Sequence, residues 1–169
     1  MPTIGGDFED TAAGSYPDLS MSFQPLACQH CATPACLAVC PVEAIIKDPD
    51  NGIVHQDNSV CIGCKLCIEA CPYSVRVFLD APINYSLDFA VGDPDAASHT
   101  ENTVEKCSFC SNLIEKDASP RCVEACVGYA RFFGDIDDPS SEVSKLIAER
   151  GGRQLLAERG TNPSVYYLD

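Results

Sequence analysis

The 169-residue chain has no tryptophan, two methionines and three histidines, and it is poor in positive charge: 11 Lys and Arg stand against 25 Asp and Glu, for a formal net charge of −14. Nucleic-acid backbones are bound through clusters of Lys and Arg, and no basic stripe occurs here, so nucleic acid is excluded as a partner. Not one Lys or Arg precedes Lys47, which leaves the N-terminus without the basic n-region of a targeting segment. Apolar runs such as Ala44-Ile45-Ile46 are far shorter than the roughly 20 residues that cross a bilayer. The expectation is a chain with no transmembrane segment of its own and a cytoplasmic default location. A Ser/His/Asp set, a phosphate loop and a paired-carboxylate site are also missing, so no residue is assigned a catalytic role. The acid excess reads as a solvated surface.

What the chain has is cysteine, 12 residues of it, with 12 Pro and 11 Gly. Such a composition implies one loop-rich domain, or two small lobes, held together by metal more than by an apolar core. Eight of the cysteines form two tandem groups, Cys28-x2-Cys31-x4-Cys36-x3-Cys40-Pro41 and Cys61-x2-Cys64-x2-Cys67-x3-Cys71-Pro72. A [4Fe-4S] cubane needs four thiolates around one small volume. A loop with a Cys every third residue supplies three, while the fourth, one helical turn on and followed by Pro, is free to serve another cluster. In two-cluster ferredoxins the last Cys of each run ligates the cluster of the other run. Carried over, one cluster takes Cys28, Cys31, Cys36 and Cys71, and another takes Cys61, Cys64, Cys67 and Cys40. A disulfide framework seldom has this spacing, and zinc prefers separated pairs with four ligands per site. The last four, Cys107-x2-Cys110-x11-Cys122-x3-Cys126, are less decisive, because their spacing alone admits a structural zinc site as well as iron and sulfide.

Secondary structure reads as short pieces. Residues 1–25 have linker composition. Two β-branched runs, Ala44-Ile45-Ile46-Lys47 and Ile53-Val54-His55-Gln56, flank Asn51-Gly52 and predict a hairpin. Val75 to Leu79 alternates like a strand, residues 80 to 105 read as an excursion loop, and Ala130 to Ile136 repeats the position of a strand after a Cys group. Asp138 and Pro139 resemble an N-cap and first helical residue, with a helix over Glu142 to Arg150 ending at Gly151-Gly152. Val143, Leu146 and Ile147 form its inner face. The pattern is α+β, a ferredoxin-like dicluster fold with pseudo-twofold Cys-rich repeats and short strands. His30, inside the first Cys loop, is assigned a packing or supporting role, and His55 and His99 none. Lys65 either places a charge near thiolates or is solvated, and Arg76 packs at the edge of the core.

The order of groups resembles the iron-sulfur electron-transfer subunits of molybdopterin oxidoreductases, of the dimethyl sulfoxide, polysulfide and tetrathionate reductase type. The likeness runs from about Gly14 to Asp169. It is carried by the stretch Pro25 to Cys36, by Val60 to Cys67 with Ala70-Cys71-Pro72-Tyr73, by Lys106 to Cys110 followed by Pro120 to Cys126, and by Asn162 to Tyr167, which looks like that family's terminal strand. The resemblance implies that the third group, Cys107, Cys110, Cys122 and Cys126, is also an iron-sulfur motif, giving a third cluster. It implies a dicluster domain at 26–79, an insertion with the third group at 80–137 and a C-terminal helix and strand at 138–169. It also implies partners, namely a molybdopterin catalytic subunit and a quinone-linked membrane anchor. Such an assembly can be exported by a twin-arginine signal on its partner. The alternatives are a free dicluster ferredoxin and, for residues 107 to 126 alone, a zinc-stabilised module. The family usually carries one more Cys run near its N-terminus, so an additional group encoded upstream of Met1 is expected.

Overall fold

A computed structural model describes residues 13–20, 24–81, 86–89 and 92–168. Most of the N-terminal linker and Pro82 of the excursion lie outside these residues. Among the described residues, three two-stranded antiparallel sheets and a set of short helices make up a small mixed α and β structure. The first sheet, β1 (Ala13–Ser15) with β2 (Asp18–Ser20), falls within the expected linker; its described side chains are exposed. Strands this short and this exposed have little stability of their own.

The expected hairpin is present as β3 (Ile45–Lys47) and β4 (Val54–Gln56), with Ile45 opposite Gln56 and Lys47 opposite Val54. Its loop is longer than Asn51-Gly52. Asp48 N–H donates to the Ile53 carbonyl (2.9 Å), the Asp48 carboxylate accepts from Asp50 N–H (2.8 Å), and Gly52 takes a φ of 71° to close the turn. The side chains of Ile45 and Val54 lie on the inner face, and with Cys67 and Val104 they form the main apolar cluster, joined at its edge by Cys36, Cys40, Ile68 and Phe78. The apolar core is therefore built partly from the metal-binding segments themselves.

The strand expected at Val75 to Leu79 is confined to β5 (Val77–Phe78), and its partner is β6 (Val104–Glu105), with Val77 opposite Glu105. The end of the excursion thus returns as a strand and delivers Val104 to the core. Two expected strands are absent. A strand forms only where a second edge lies alongside; residues 130–136 are irregular, and the C-terminal segment meets an edge only at Arg153, in one isolated bridge with Tyr167.

The C-terminal segment does another job. Ala32 and Thr33 N–H groups donate to the Asn162 and Thr161 carbonyls (2.7 and 3.0 Å), and Ser164 N–H donates to the Gln29 carbonyl (2.9 Å). Residues 161–164 are thereby tied to the first cysteine loop. The helix Glu142–Arg150 is as expected, with Val143 buried and Gly151 at a φ of 67°. Its N-cap is Ser141, whose hydroxyl accepts from Ser144 N–H (3.2 Å). Asp138 instead caps a preceding turn by accepting from Ser140 N–H (2.8 Å).

Candidate metal centres

All three cysteine groups are built from one local unit. In each Cys-x2-Cys loop the residue before the second Cys lies in the left-handed region: His30 at φ 42°, Gly63 at 65° and Phe109 at 60°. That conformation turns the loop sharply around the volume its sulfurs face. Only Gly63 meets it without a Cβ, and there a Cβ would stand 2.3 Å from the Asn102 carbonyl oxygen. His30 and Phe109 carry side chains in the same conformation, and their rings pack together with centroids 4.8 Å apart, Phe109 continuing to Phe133 at 5.7 Å. Ring contact across two loops offsets the backbone strain.

The third and fourth cysteines follow a second shared pattern. Cys36, Cys67 and Cys122 are each the second residue of a four-residue helix, α1 (Ala35–Ala38), α2 (Leu66–Glu69) and α3 (Arg121–Glu124). Cys40, Cys71 and Cys126 follow, each donating its N–H to the carbonyl three residues back, Leu37, Ile68 or Val123, at 3.2 Å. The residue three further on, Glu43, Ser74 or Tyr129, again has positive φ, 53°, 52° and 48°. In the first and third units the next amide points at the sulfur: Ala44 N–H to Cys40 Sγ (3.2 Å) and Ala130 N–H to Cys126 Sγ (3.3 Å). Amides aimed at sulfur favour a thiolate, and that of Ala130 is the first cause holding the Cys126 thiol below its ordinary range. Helices of four residues do not persist alone, so clusters bound to the cysteines at their two ends would hold them.

Burial first of all raises the Cys31 thiol, and the Cys36 and Cys71 sulfurs raise it further. Cys67 feels Cys36 and Cys61. All twelve cysteines are unbridged. Among the described residues no three His, Cys, Asp or Glu side chains close around a single ion. Burial is the first cause pushing the thiols of Cys28, Cys31 and Cys67 up, so cluster loading must displace their protons.

The surroundings supply the opposite charge. Arg76 is 5% exposed, its Nη1 donates to Gln56 Oε1 (2.9 Å), and its Nη2 is buried without a hydrogen-bond partner. The Cys36, Cys67 and Cys28 sulfurs act on it and hold its pKa above the ordinary value against the effect of burial. The Lys106 ammonium donates to the carbonyls of Val54 and of Cys107 (2.9 Å), and Cys28 is the sulfur that acts on it most. Neither cation meets a carboxylate among the described residues. Burying unpaired charge is costly, and a cluster held by four thiolates is the anion that these residues fit.

His30 is buried; its Nδ1 accepts from Val54 N–H (3.1 Å), and burial first of all lowers its pKa to about 3, so the ring is neutral. Its role is packing between loops. Lys65 is exposed, as the solvated reading expects, with its ammonium 3.9 Å over the Phe78 ring. His55 and His99 lie beside Asp48 and Glu105 at 3.9 and 2.6 Å. Arg76 and Lys106 were missed as site residues. Their sequence signal is slight: two of only 11 cations, Lys106 next to Cys107 and Arg76 five residues after Cys71. Tyr73 was missed too, its hydroxyl 2.6 Å from Thr161 Oγ1 beside Cys31.

The comparisons agree with this geometry. The family model of the 4Fe-4S dicluster domain matches residues 19–83. The chain is 47% identical over 99% of its length to a protein of Halobacterium salinarum provisionally named as the iron-sulfur subunit of a dimethyl sulfoxide reductase, of which it covers 65%. It is 42% identical over 92% of its length to a subunit of the sulfite dehydrogenase of Allochromatium vinosum, covering 59% of that protein. It is 36% identical over 94% of its length to the arsenate respiratory reductase iron-sulfur subunit of a Shewanella species, covering 80% of it. The chain thus spans somewhat under two thirds of the first two relatives.

Proposed function

We propose, because this chain belongs to the family of iron-sulfur subunits of reductase complexes, that it relays electrons one at a time to or from a molybdopterin-containing catalytic subunit. The observation that carries this reading is the cysteine unit repeated three times with the same positive-φ turns, beside the buried Arg76 and the half-buried Lys106, which meet no carboxylate among the described residues. Two [4Fe-4S] clusters are assigned to Cys28, Cys31, Cys36 and Cys71 and to Cys61, Cys64, Cys67 and Cys40. The third group is assigned to further clusters in the family's layout, Cys107, Cys110 and Cys122 sharing one with the last Cys of the additional run and Cys126 completing the one held by that run's first three. The finer architecture is ferredoxin-like, with residues 26–79 as the dicluster unit.

When bound, each cubane supplies a one-electron couple. The chain's residues hold its ligands at fixed spacing, exclude water with Ile45, Val54 and Val104, and offset its charge with Arg76 and Lys106. No side chain need move a proton or form a bond. Among the described residues no helix is long and apolar enough to cross a membrane; a quinone-linked membrane anchor is proposed as a second partner. The assembly would be cytoplasmic unless a partner directs its export.

The test is co-expression with a candidate molybdopterin subunit from the same genome. A stable complex is expected, with about eight iron atoms per chain for two cubanes and about twelve with the third, and with the chain's clusters oxidised by the partner's substrate. A chain that elutes alone and exchanges no electrons with that partner would be a free ferredoxin.

A further inference from the structure

The C-terminal segment meets the cysteine groups unequally. Besides the bonds from Ala32 and Thr33 N–H to the Asn162 and Thr161 carbonyls (2.7 and 3.0 Å) and from Ser164 N–H to the Gln29 carbonyl (2.9 Å), the Ser164 hydroxyl donates to the His30 carbonyl (2.9 Å). These four partners flank Cys31 on both sides. Ala32 and Thr33 lie in the stretch that makes Cys31-x4-Cys36 two residues longer than Cys64-x2-Cys67, so it is the longer loop that the C-terminal segment holds. The same segment also reaches the second group. The Tyr73 hydroxyl is 2.6 Å from Thr161 Oγ1 and faces the Leu155 carbonyl at 3.4 Å. Tyr73 follows Cys71-Pro72 directly, and both hydroxyl-bearing residues are buried. Among the described residues, 155–168 make no hydrogen bond to Cys61–Cys67 or to Cys107–Cys110.

We propose that residues 161–164 are a clasp for one cluster site, in which Thr161 is a positioning residue that joins the loop carrying Cys31 to the segment carrying Cys71. This deepens the ligand reading above and rests on it, because only with exchanged fourth cysteines do Cys31 and Cys71 serve the same cluster. Thiolates drawn from two distant stretches of chain have to be gathered against the entropy of closing the loop between them. A hydrogen bond buried at both partners already makes that join, and it opposes the outward swing of either stretch. The clasp therefore slows release of the Cys28 cluster and has no grip on the Cys61 cluster. It acts through position alone, and no proton, electron or covalent bond moves in it.

The experiment follows iron release to a chelator from the full iron-loaded chain and from Thr161→Val, Thr161→Ser, Tyr73→Phe and Ser164→Ala, with paramagnetic resonance of the reduced protein separating the two clusters. The signals are assigned with Cys28→Ser, whose oxygen ligand perturbs its own cluster. Thr161→Val, which keeps the shape and deletes the hydroxyl, should release the Cys28 cluster about tenfold faster, the scale of one lost buried hydrogen bond, and alter its resonance signal. Tyr73→Phe should do the same, Thr161→Ser should restore both rate and signal, and the Cys61 cluster should stay unmoved throughout. If Thr161→Val does not fold, the half-buried Ser164→Ala decides, by faster release of the Cys28 cluster alone. Equal acceleration of both clusters, or full iron content with unchanged rates and signals, overturns the clasp and leaves the ligand reading standing. The ligand reading is tested apart by Cys71→Ala, which should abolish the Cys28 cluster. Loss of the Cys61 cluster there instead, or a chain that takes up no cubanes, overturns that reading and the clasp with it.

Discussion

The first two cysteine groups and the third share their backbone turns but differ in what surrounds them. Around Cys28 to Cys71 the turns are backed by β3, β4 and β6, by Val54 at 1% exposure and by the returning C-terminal residues 161–164. Around Cys107 to Cys126 the turns are made mostly by their own residues. Cys107 and Cys122 are exposed, and Val127 and Tyr129 stand 97% and 85% exposed. The link between the regions is narrow: the His30–Phe109 ring contact, Lys106, and the β5–β6 pair just before the third group. A cluster-binding turn is therefore a local object, specified by a few residues, while its stability depends on what packs behind it.

The largest expected effect breaks the comparison by removing what both regions share. Complete removal of iron should unfold residues 26–79, a loss on the scale of the entire stability of a small domain, about 5–15 kcal/mol. A melting curve unchanged after iron is gone would mean that the core stands without its clusters. Next, Cys40→Ala should destroy the cluster of Cys61, Cys64 and Cys67 and spare that of Cys28, Cys31 and Cys36, read by iron counting and resonance spectra. Loss of the Cys28 cluster instead would show that each group keeps its own fourth cysteine.

Smaller effects sharpen the contrast in packing. Val54→Ala removes buried methyl groups from the apolar cluster and should cost about 2 kcal/mol in denaturant unfolding of the iron-loaded chain, whereas Val127→Ala should stay within about 0.5 kcal/mol. Equal costs would place Val127 in an interface. Ser141→Ala, which deletes the cap of the C-terminal helix, should cost about 1 kcal/mol, measurable as a small drop in the unfolding midpoint, with no change in iron content.

Cluster ligation is written locally. Cys-x2-Cys and Cys-x3-Cys spacings dictate which sulfurs a short loop and one helical turn can aim together, so the twelve candidate ligands, the dicluster family and the hairpin around Asn51-Gly52 could be read from residue order alone. The helix Glu142–Arg150 was equally legible, from its periodicity and Gly151. Tertiary structure decided the rest. Ala130 to Ile136 has the composition of a strand but no neighbouring edge, and Phe133 spends its ring on Phe109. Val104 enters the core only because residues far apart in the chain pair as β5 and β6. Ser141 takes the cap expected of Asp138 because Asp138 is committed to its own turn. Arg76 becomes a buried charge between two sets of sulfurs because the fold closes over it, and burial, unlike spacing, is a property of everything around a residue.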